Sequence, residues 1–569
     1  MHNYLWKYKQ TDKNEIQNIS LEFSVPRSIA TIMSIKSITN KKKSKDFFYE
    51  NLKSLNNPLL MKDMQKAVDR VILAKNNNEL ILIIGDYDAD GTSATSILYL
   101  FLKSINIDVE YFIPNRQTDG YGVSKKAIDF GQKIGTQLII TCDCGITAVE
   151  EVKYAKKYNI DIIVTDHHKQ AATLPDAFAI LNPNQLLCEY PFKGLCGAGV
   201  AFKLCQEINN QLGYSIENIM CYSDLVSIAT TADVVPLIDE NRFIVKQGLK
   251  DIKRGSNQGI KALLKVSKIE PESLTVGQLG FWFIPKINAA GRIGDAGRAV
   301  KLFTSKNPIF ANEIAIDLEN ENEKRKKITQ SHEYEAQSII KNKINYELNK
   351  ILIIYKDDWH FGVLGIVASR IKESYNRPTI VLSKEGDFYK GSCRSIAGFD
   401  IVDALAHSSN LLENYGGHPM AAGLTISENN LSNFINEITA YSNNKLKDNI
   451  QPIINIDYEI KLSEINSRFI KFLEHLEPFG PGNSKPIFCT KNITDISNVL
   501  LIGKDKETLK FTVHGSEINF DVIGFRMIEN YEKVISGKSI DIAFSIDKNI
   551  WRNKVSIQLV LKDIVYSDV

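Results

Sequence analysis

No apolar run in this sequence approaches the roughly 18 residues that cross a membrane, and Met1 to Gln10 carries no apolar signal-peptide core. The expectation is a cytoplasmic protein. Cysteine is sparse and scattered: eight residues without zinc-ligand spacing, the tightest pair being Cys142 and Cys144 around Asp143. That excludes a disulfide framework, and the cysteines read as small buried residues in a reducing compartment. An excess of one charge is missing too. The 69 Lys and Arg stand against 67 Asp and Glu, a formal net charge of +2, so any basic footprint for nucleic acid must be local. With 44% hydrophobic and 24% charged residues, global disorder is excluded, and the length of 569 residues fits about three or four domains.

What is present is a buried strand that ends in negative charge. Leu80 to Ile84 is a continuous Ile-rich run, expected to be covered on both faces, and it leads into Asp86, Asp88 and Asp90 at alternate positions before Gly91. Three like charges so close repel one another unless a cation holds them. A solvated Asp-rich turn is the bland reading. The EF-hand loop is the sharper rival, but its twelfth position needs a bidentate Glu and here holds Ile97, and the loop is entered from a strand rather than a helix.

The pattern recurs along the chain. Val109 to Ile113 ends at Pro114-Asn115-Arg116, Gln137 to Thr141 runs on to Asp143, and Ile160 to Thr165 ends at Asp166-His167-His168. In a parallel sheet the C-terminal strand ends share one edge, where open α/β sheets place their sites. Asp233, set among Ala, Val and Pro, is a further buried carboxylate that needs a partner. Oxygen and imidazole donors without an arranged thiolate favour manganese or magnesium over structural zinc. Five or six ligands suit two ions, which activate water and stabilise an in-line displacement at phosphorus.

Together GDYDADG (85–91), CDCG (142–145), TDHH (165–168) and TADVVP (231–236) resemble the DHH phosphoesterase superfamily and, more narrowly, its single-strand-specific 5′→3′ exonuclease family. PNRQTDGYG (114–122), INAAGRIG (287–294), WHFGVLGIVASR (359–370), GSCRS (391–395), YGGHPMAAG (415–423) and EPFGPGNSKPIF (477–488) extend the likeness over roughly residues 58 to 490. Phe361 and Asp119 depart mildly from the pattern and remove no ligand.

The resemblance implies a metal-dependent exonuclease that degrades single-stranded DNA to 5′-mononucleotides in repair and recombination. It implies two Mn2+ or Mg2+ ions at Asp88, Asp90, Asp143, His167 and Asp233, with Asp143 as the bridge. Asp86 belongs to the same set, as ligand or as acceptor behind one. Asp143, His167 and His168 would be catalytic, His168 against the scissile phosphate. Arg116, Tyr121, Arg292, Ser392, Arg394 and His418 would bind substrate. A monomer is expected, with a helicase and a single-strand-binding protein as partners.

The implied architecture is α/β: a polar N-terminal extension (1–57), a parallel-sheet DHH domain (58–305), a long connecting helix (306–348), a second α/β, DHH-associated domain (349–450) and a C-terminal oligonucleotide-binding β-barrel (451–569). On that barrel Phe525 and Trp551 are candidate DNA contacts among several lysines and arginines. A small-substrate phosphoesterase and a non-catalytic DNA-binding scaffold of the same fold remain alternatives. The barrel argues against the first and the filled metal positions against the second.

Overall fold

The computed structural model describes residues 4–116, 118–120, 122–344, 348–447, 451–515, 518–551 and 554–567. Two compact units emerge: Glu50–Lys327 with Pro478–Ser484, and Met1–Tyr49 with Ile328–Glu477 and Lys485–Val569.

In the unit that begins at Glu50, five parallel strands, β1 (Ile81–Gly85), β2 (Val109–Phe112), β3 (Leu138–Cys142), β4 (Asp161–Thr165) and β5 (Ala179–Leu181), run in the order β2-β1-β3-β4-β5. The Ile-rich runs are strands because both faces are covered. Ile81 and Ile83 face one core, while Leu82 and Ile84 face another. The strand order reverses between β1 and β3, the place where open α/β sheets open a crevice. Register makes that edge level: Gly85 pairs with Cys142, and Cys142 with Thr165. Asp86, Asp143 and Asp166 therefore leave three neighbouring strands side by side. Helices α1 (Ala89–Ser104), α2 (Gly197–Gln211), α3 (Ser223–Ala232), α4 (Asp239–Arg254) and α5 (Ile284–Ile293) complete the elements that matter for the site.

The second unit holds a five-stranded mixed sheet of β6 (Leu352–Tyr355), β7 (Thr379–Glu385), β8 (Phe388–Arg394), β9 (Leu412–His418) and β10 (Ala421–Ser427), ordered β9-β10-β8-β7-β6. Apolar runs in the sequence mark β6 in full (Leu352–Tyr355) and parts of β7 (Thr379 to Leu382) and β10 (Leu424 to Ile426), whereas Gly, Ser and Lys break the alternation of β8 and β9. The same unit contains a seven-stranded mixed sheet built from strands between Tyr458 and Tyr566. Strand Leu5–Tyr8 pairs in parallel with Ile453–Ile456, and the helix Arg27–Ile35 buries Ile29, Ala30, Ile32 and Met33. The long connecting helix is present as Pro308–Lys343. Among the described residues no helix is long and apolar enough to cross a membrane.

Candidate metal centre

The segment after β1 is not the loop its spacing suggests. Asp88 caps α1, its Oδ1 accepting the N–H groups of Asp90 (2.9 Å) and Gly91 (3.0 Å), so Asp90 lies in the first helical turn. Strand end, cap and first turn thus carry the three carboxylates, and the helix begins well before the apolar period that announced it. Negative charge is favourable at a helix N-terminus.

A second helix start holds Asp90 from the other side. Gly197 and Ala198, the first residues of α2, donate their N–H groups to the two Asp90 oxygens at 2.7 and 2.8 Å. Only glycine fits there, since a Cβ at Gly197 would lie 2.4 Å from Asp143 Cβ. Asp143 itself has φ 61°, a left-handed conformation pinned by its N–H donating to Thr165 O at 2.9 Å. Asp233 ends α3 and precedes Val234 at φ 59°, a strained conformation for a β-branched side chain.

His167 ties these elements together. Its Nε2 lies 3.2 Å from Asp143 Oδ1, 3.6 Å from Asp233 Oδ2 and 4.0 Å from Asp90 Oδ2. Three overlapping groups, Asp86/Asp88/Asp143, Asp143/His167/His168 and Asp90/His167/Asp233, each bring one ligand atom per residue within 4.8 Å of the others. Asp143 is common to two of them.

The electrostatics are those of crowded, buried like charges. Burial and the neighbouring Asp88 push Asp90 up to about 7 and Asp86 well above the carboxylate range. Burial, with Asp90 and Asp88, pushes Asp233 up to about 8; burial and three carboxylates of the cluster raise Asp143 strongly. Asp86 Oδ1 and Asp233 Oδ2 are buried with no hydrogen-bond partner among the described residues. Buried carboxylate oxygens without donors, set beside imidazole, fit hard divalent ions such as Mn2+ or Mg2+.

Two residues to which the sequence assigned no role support the centre. Asp166 accepts hydrogen bonds from the N–H groups of Ile146 (2.9 Å), His167 (2.7 Å) and His168 (3.0 Å), and holds His168 Nδ1 at 2.7 Å. Burial works against the imidazolium, but this carboxylate outweighs it and lifts His168 to about 9. Asn288 on α5 accepts the Ala89 N–H at 2.8 Å, and a Cβ on Gly291 would lie 2.3 Å from Tyr87 O, so INAAGRIG is a brace beneath the acidic segment. The DHH triplet already contained Asp166; nothing in sequence spacing pointed to Asn288.

The other expected residues are distributed over both units. The Arg116 guanidinium stands 5.3 Å from the Tyr87 ring centroid, and Arg292 closes the same helix as Asn288. In the second unit, Arg394 on β8 donates to Ser392 Oγ (3.0 Å) and Ser369 Oγ (3.1 Å), and His418 is exposed at the end of β9. Phe525 is exposed just after strand Asn519–Gly524. Tyr121 and the side chain of Trp551 lie outside the described residues.

A switch-point cluster of Asp and His on a parallel sheet defines the class of two-metal phosphoesterases. Family models agree: "DHH family, N-terminal domain" matches residues 80–230, "DHHA1 domain" 348–444 and "RecJ OB domain" 456–563. The single-stranded-DNA-specific exonuclease RecJ of Bacillus subtilis is 33% identical over 567 residues, 99% of this chain and 71% of that one. Its namesake from Haemophilus influenzae is 35% identical, covering 90% of this chain and 92% of that one. The crystal structure of RecJ in complex with Mn2+ from Thermus thermophilus superposes with TM-score 0.84 at 25% identity, covering 99% of this chain and 80% of that one. The chain belongs to the RecJ family of DHH exonucleases.

Proposed function

We propose that the chain hydrolyses single-stranded DNA from a free 5′ end and releases 5′-mononucleotides. The observation that carries this reading is the convergence of Asp86, Asp88, Asp90, Asp143, His167 and Asp233 at the sheet's switch point, in a chain whose relatives bear the name of single-strand exonucleases. These six side chains would hold two Mn2+ or Mg2+ ions, which supply Lewis acidity and an activated water. Asp143 would touch both ions, and the backbone N–H groups of Gly197 and Ala198 fix the direction in which Asp90 presents its oxygens. With Nδ1 held by Asp166, His168 offers Nε2–H as donor to a phosphate oxygen. Arg116, Arg292, Ser392, Arg394 and His418 would bind substrate phosphates, guanidinium forks being suited to phosphate.

In this reading residues 58–305 are the catalytic domain, 306–348 its connection, 349–450 the DHH-associated domain and 451–569 the strand-binding module, after an N-terminal extension of 1–57. The protein works as a cytoplasmic monomer, on strands that an unwinding enzyme exposes and a single-strand-binding protein coats. A 5′-phosphorylated oligonucleotide labelled at either end, incubated with manganese, magnesium or EDTA, tests the activity. Immediate release of labelled mononucleotide from the 5′ label, a shortening ladder from the 3′ label and no reaction in EDTA are expected. Hydrolysis confined to dinucleotides would assign a small-substrate phosphoesterase instead.

A further inference from the structure

Two large aromatic side chains of the unit that carries the acidic cluster stand in solvent, and nothing described above uses them. Phe281 is 81% exposed and Trp282 57%, while their neighbours Leu279 and Phe283 are completely buried. All four lie in Leu279–Phe283, a single turn of π-helix that runs directly into α5. Such widened turns are rare and frequently sit at functional sites. Here the turn anchors two apolar side chains and turns two adjacent rings outward, against the tendency of aromatics to be covered.

The position of the turn is fixed by its contacts. A Cβ on Gly280 would lie 3.9 Å from Thr231 Cγ2, and Thr231 is two residues before Asp233. Further along the same helical path, Asn288 bonds the Ala89 N–H, Gly291 passes under Tyr87, and Arg292 follows. The path therefore skirts the acidic cluster, with the aromatic pair at one end and a cation at the other. Ten residues separate Trp282 from Arg292, a rise of about 15 Å, comparable to about four stacked nucleotides at roughly 3.4 Å each. From Thr275 to Ile284 the sequence TVGQLGFWFI has no charged residue, so the turn itself brings aromatic surface and no charge.

We infer that Phe281 and Trp282 form a stacking platform for unpaired bases of the substrate strand. The inference rests on the single-strand reading above and adds the surface that holds the strand a few nucleotides from the arginine end. Bases suit it because every base has a π-face, so rings bind a strand without regard to sequence, while phosphate charge is met elsewhere. The continuity of the turn with α5 and with the end of α3 selects a DNA strand over a protein partner. It also predicts that the platform matters only to substrates long enough to reach it.

The test uses the full chain and a 20-nucleotide oligothymidylate, with calcium replacing manganese during binding. In a Trp551→Phe background the protein should lose tryptophan fluorescence on titration, and adding Trp282→Phe should remove most of that signal while keeping affinity within about twofold. Phe281→Ala/Trp282→Ala should weaken binding roughly tenfold or more. With manganese, the ratio of kcat/KM on the 20-mer to that on a dinucleotide should fall by a similar factor through KM, and Trp282→Phe should restore it. An unchanged ratio with unchanged affinity overturns the platform. A changed oligomeric state with unchanged affinity also overturns it, assigning the rings to a second copy of the chain. If that quench is seen but wild-type protein cleaves no strand, the proposed activity fails while the platform stands.

Discussion

Helix α2 connects two regions of buried charge that are built in opposite ways. Near its middle, Lys203 is fully buried, yet it donates to Glu240 (3.1 Å) and Asn56 O (2.7 Å), while Glu240 also accepts from Tyr190 and the Asn56 N–H. Arg242 and Lys246 flank Glu50 in the same manner. At the N-terminus of α2, by contrast, Asp86, Asp90, Asp143 and Asp233 crowd together in overlapping groups and raise one another's pKa values, with burial as the larger cause. Matched charge holds elements in place; unmatched like charge costs stability until a cation arrives. The protein uses the first to brace the second.

The largest expected effect breaks the unmatched side. Asp143→Ala should lower kcat by about a thousandfold or more, yet in EDTA the variant should melt no lower than wild type, because one repelling carboxylate is gone. Near-normal turnover after metal stripping and reloading would remove Asp143 from the bridging role. On the matched side, Lys203→Met leaves Glu240 buried without its cation and should cost about 3 to 5 kcal/mol, read as a lower Tm that manganese does not restore to the wild-type value.

Gly197→Ala removes no ligand at all. The added methyl must displace Asp143, and a shift of that kind should cost roughly a hundredfold in rate and weaken manganese binding. The smallest effect is in pH. Asp90 and Asp233, with folded pKa values of about 7 and 8, bind protons more tightly folded than unfolded. Metal-free protein should therefore lose Tm steadily as pH rises from about 4 to about 8, and saturating manganese should flatten that slope. A metal-free Tm that rises across this window would contradict the like-charge account.

How far the sequence revealed this depended on the range of each interaction. Strands β1, β3 and β4 were legible because burial on both faces leaves unbroken apolar runs, and their acidic ends were legible with them. The start of α1 was not, since a cap made by Asp88 has no apolar period. Asp90 meets Gly197 across 107 positions, and Asn288 meets Ala89 across 199, so neither pairing leaves a trace in local spacing. Ser392 and Arg394 stood out through their motif, but the strand that carries them did not, because only the register of β8 against β7 and β10 makes it a strand.

The central claim is that the acidic cluster is complete only with two divalent ions, and calorimetric titration of metal-stripped protein with manganese tests it most directly. The account predicts two ions per chain with proton release at pH 7, a raised Tm, and at most one ion in Asp143→Ala. Fewer than two ions in the wild type, or two ions bound undiminished by Asp143→Ala, would contradict it.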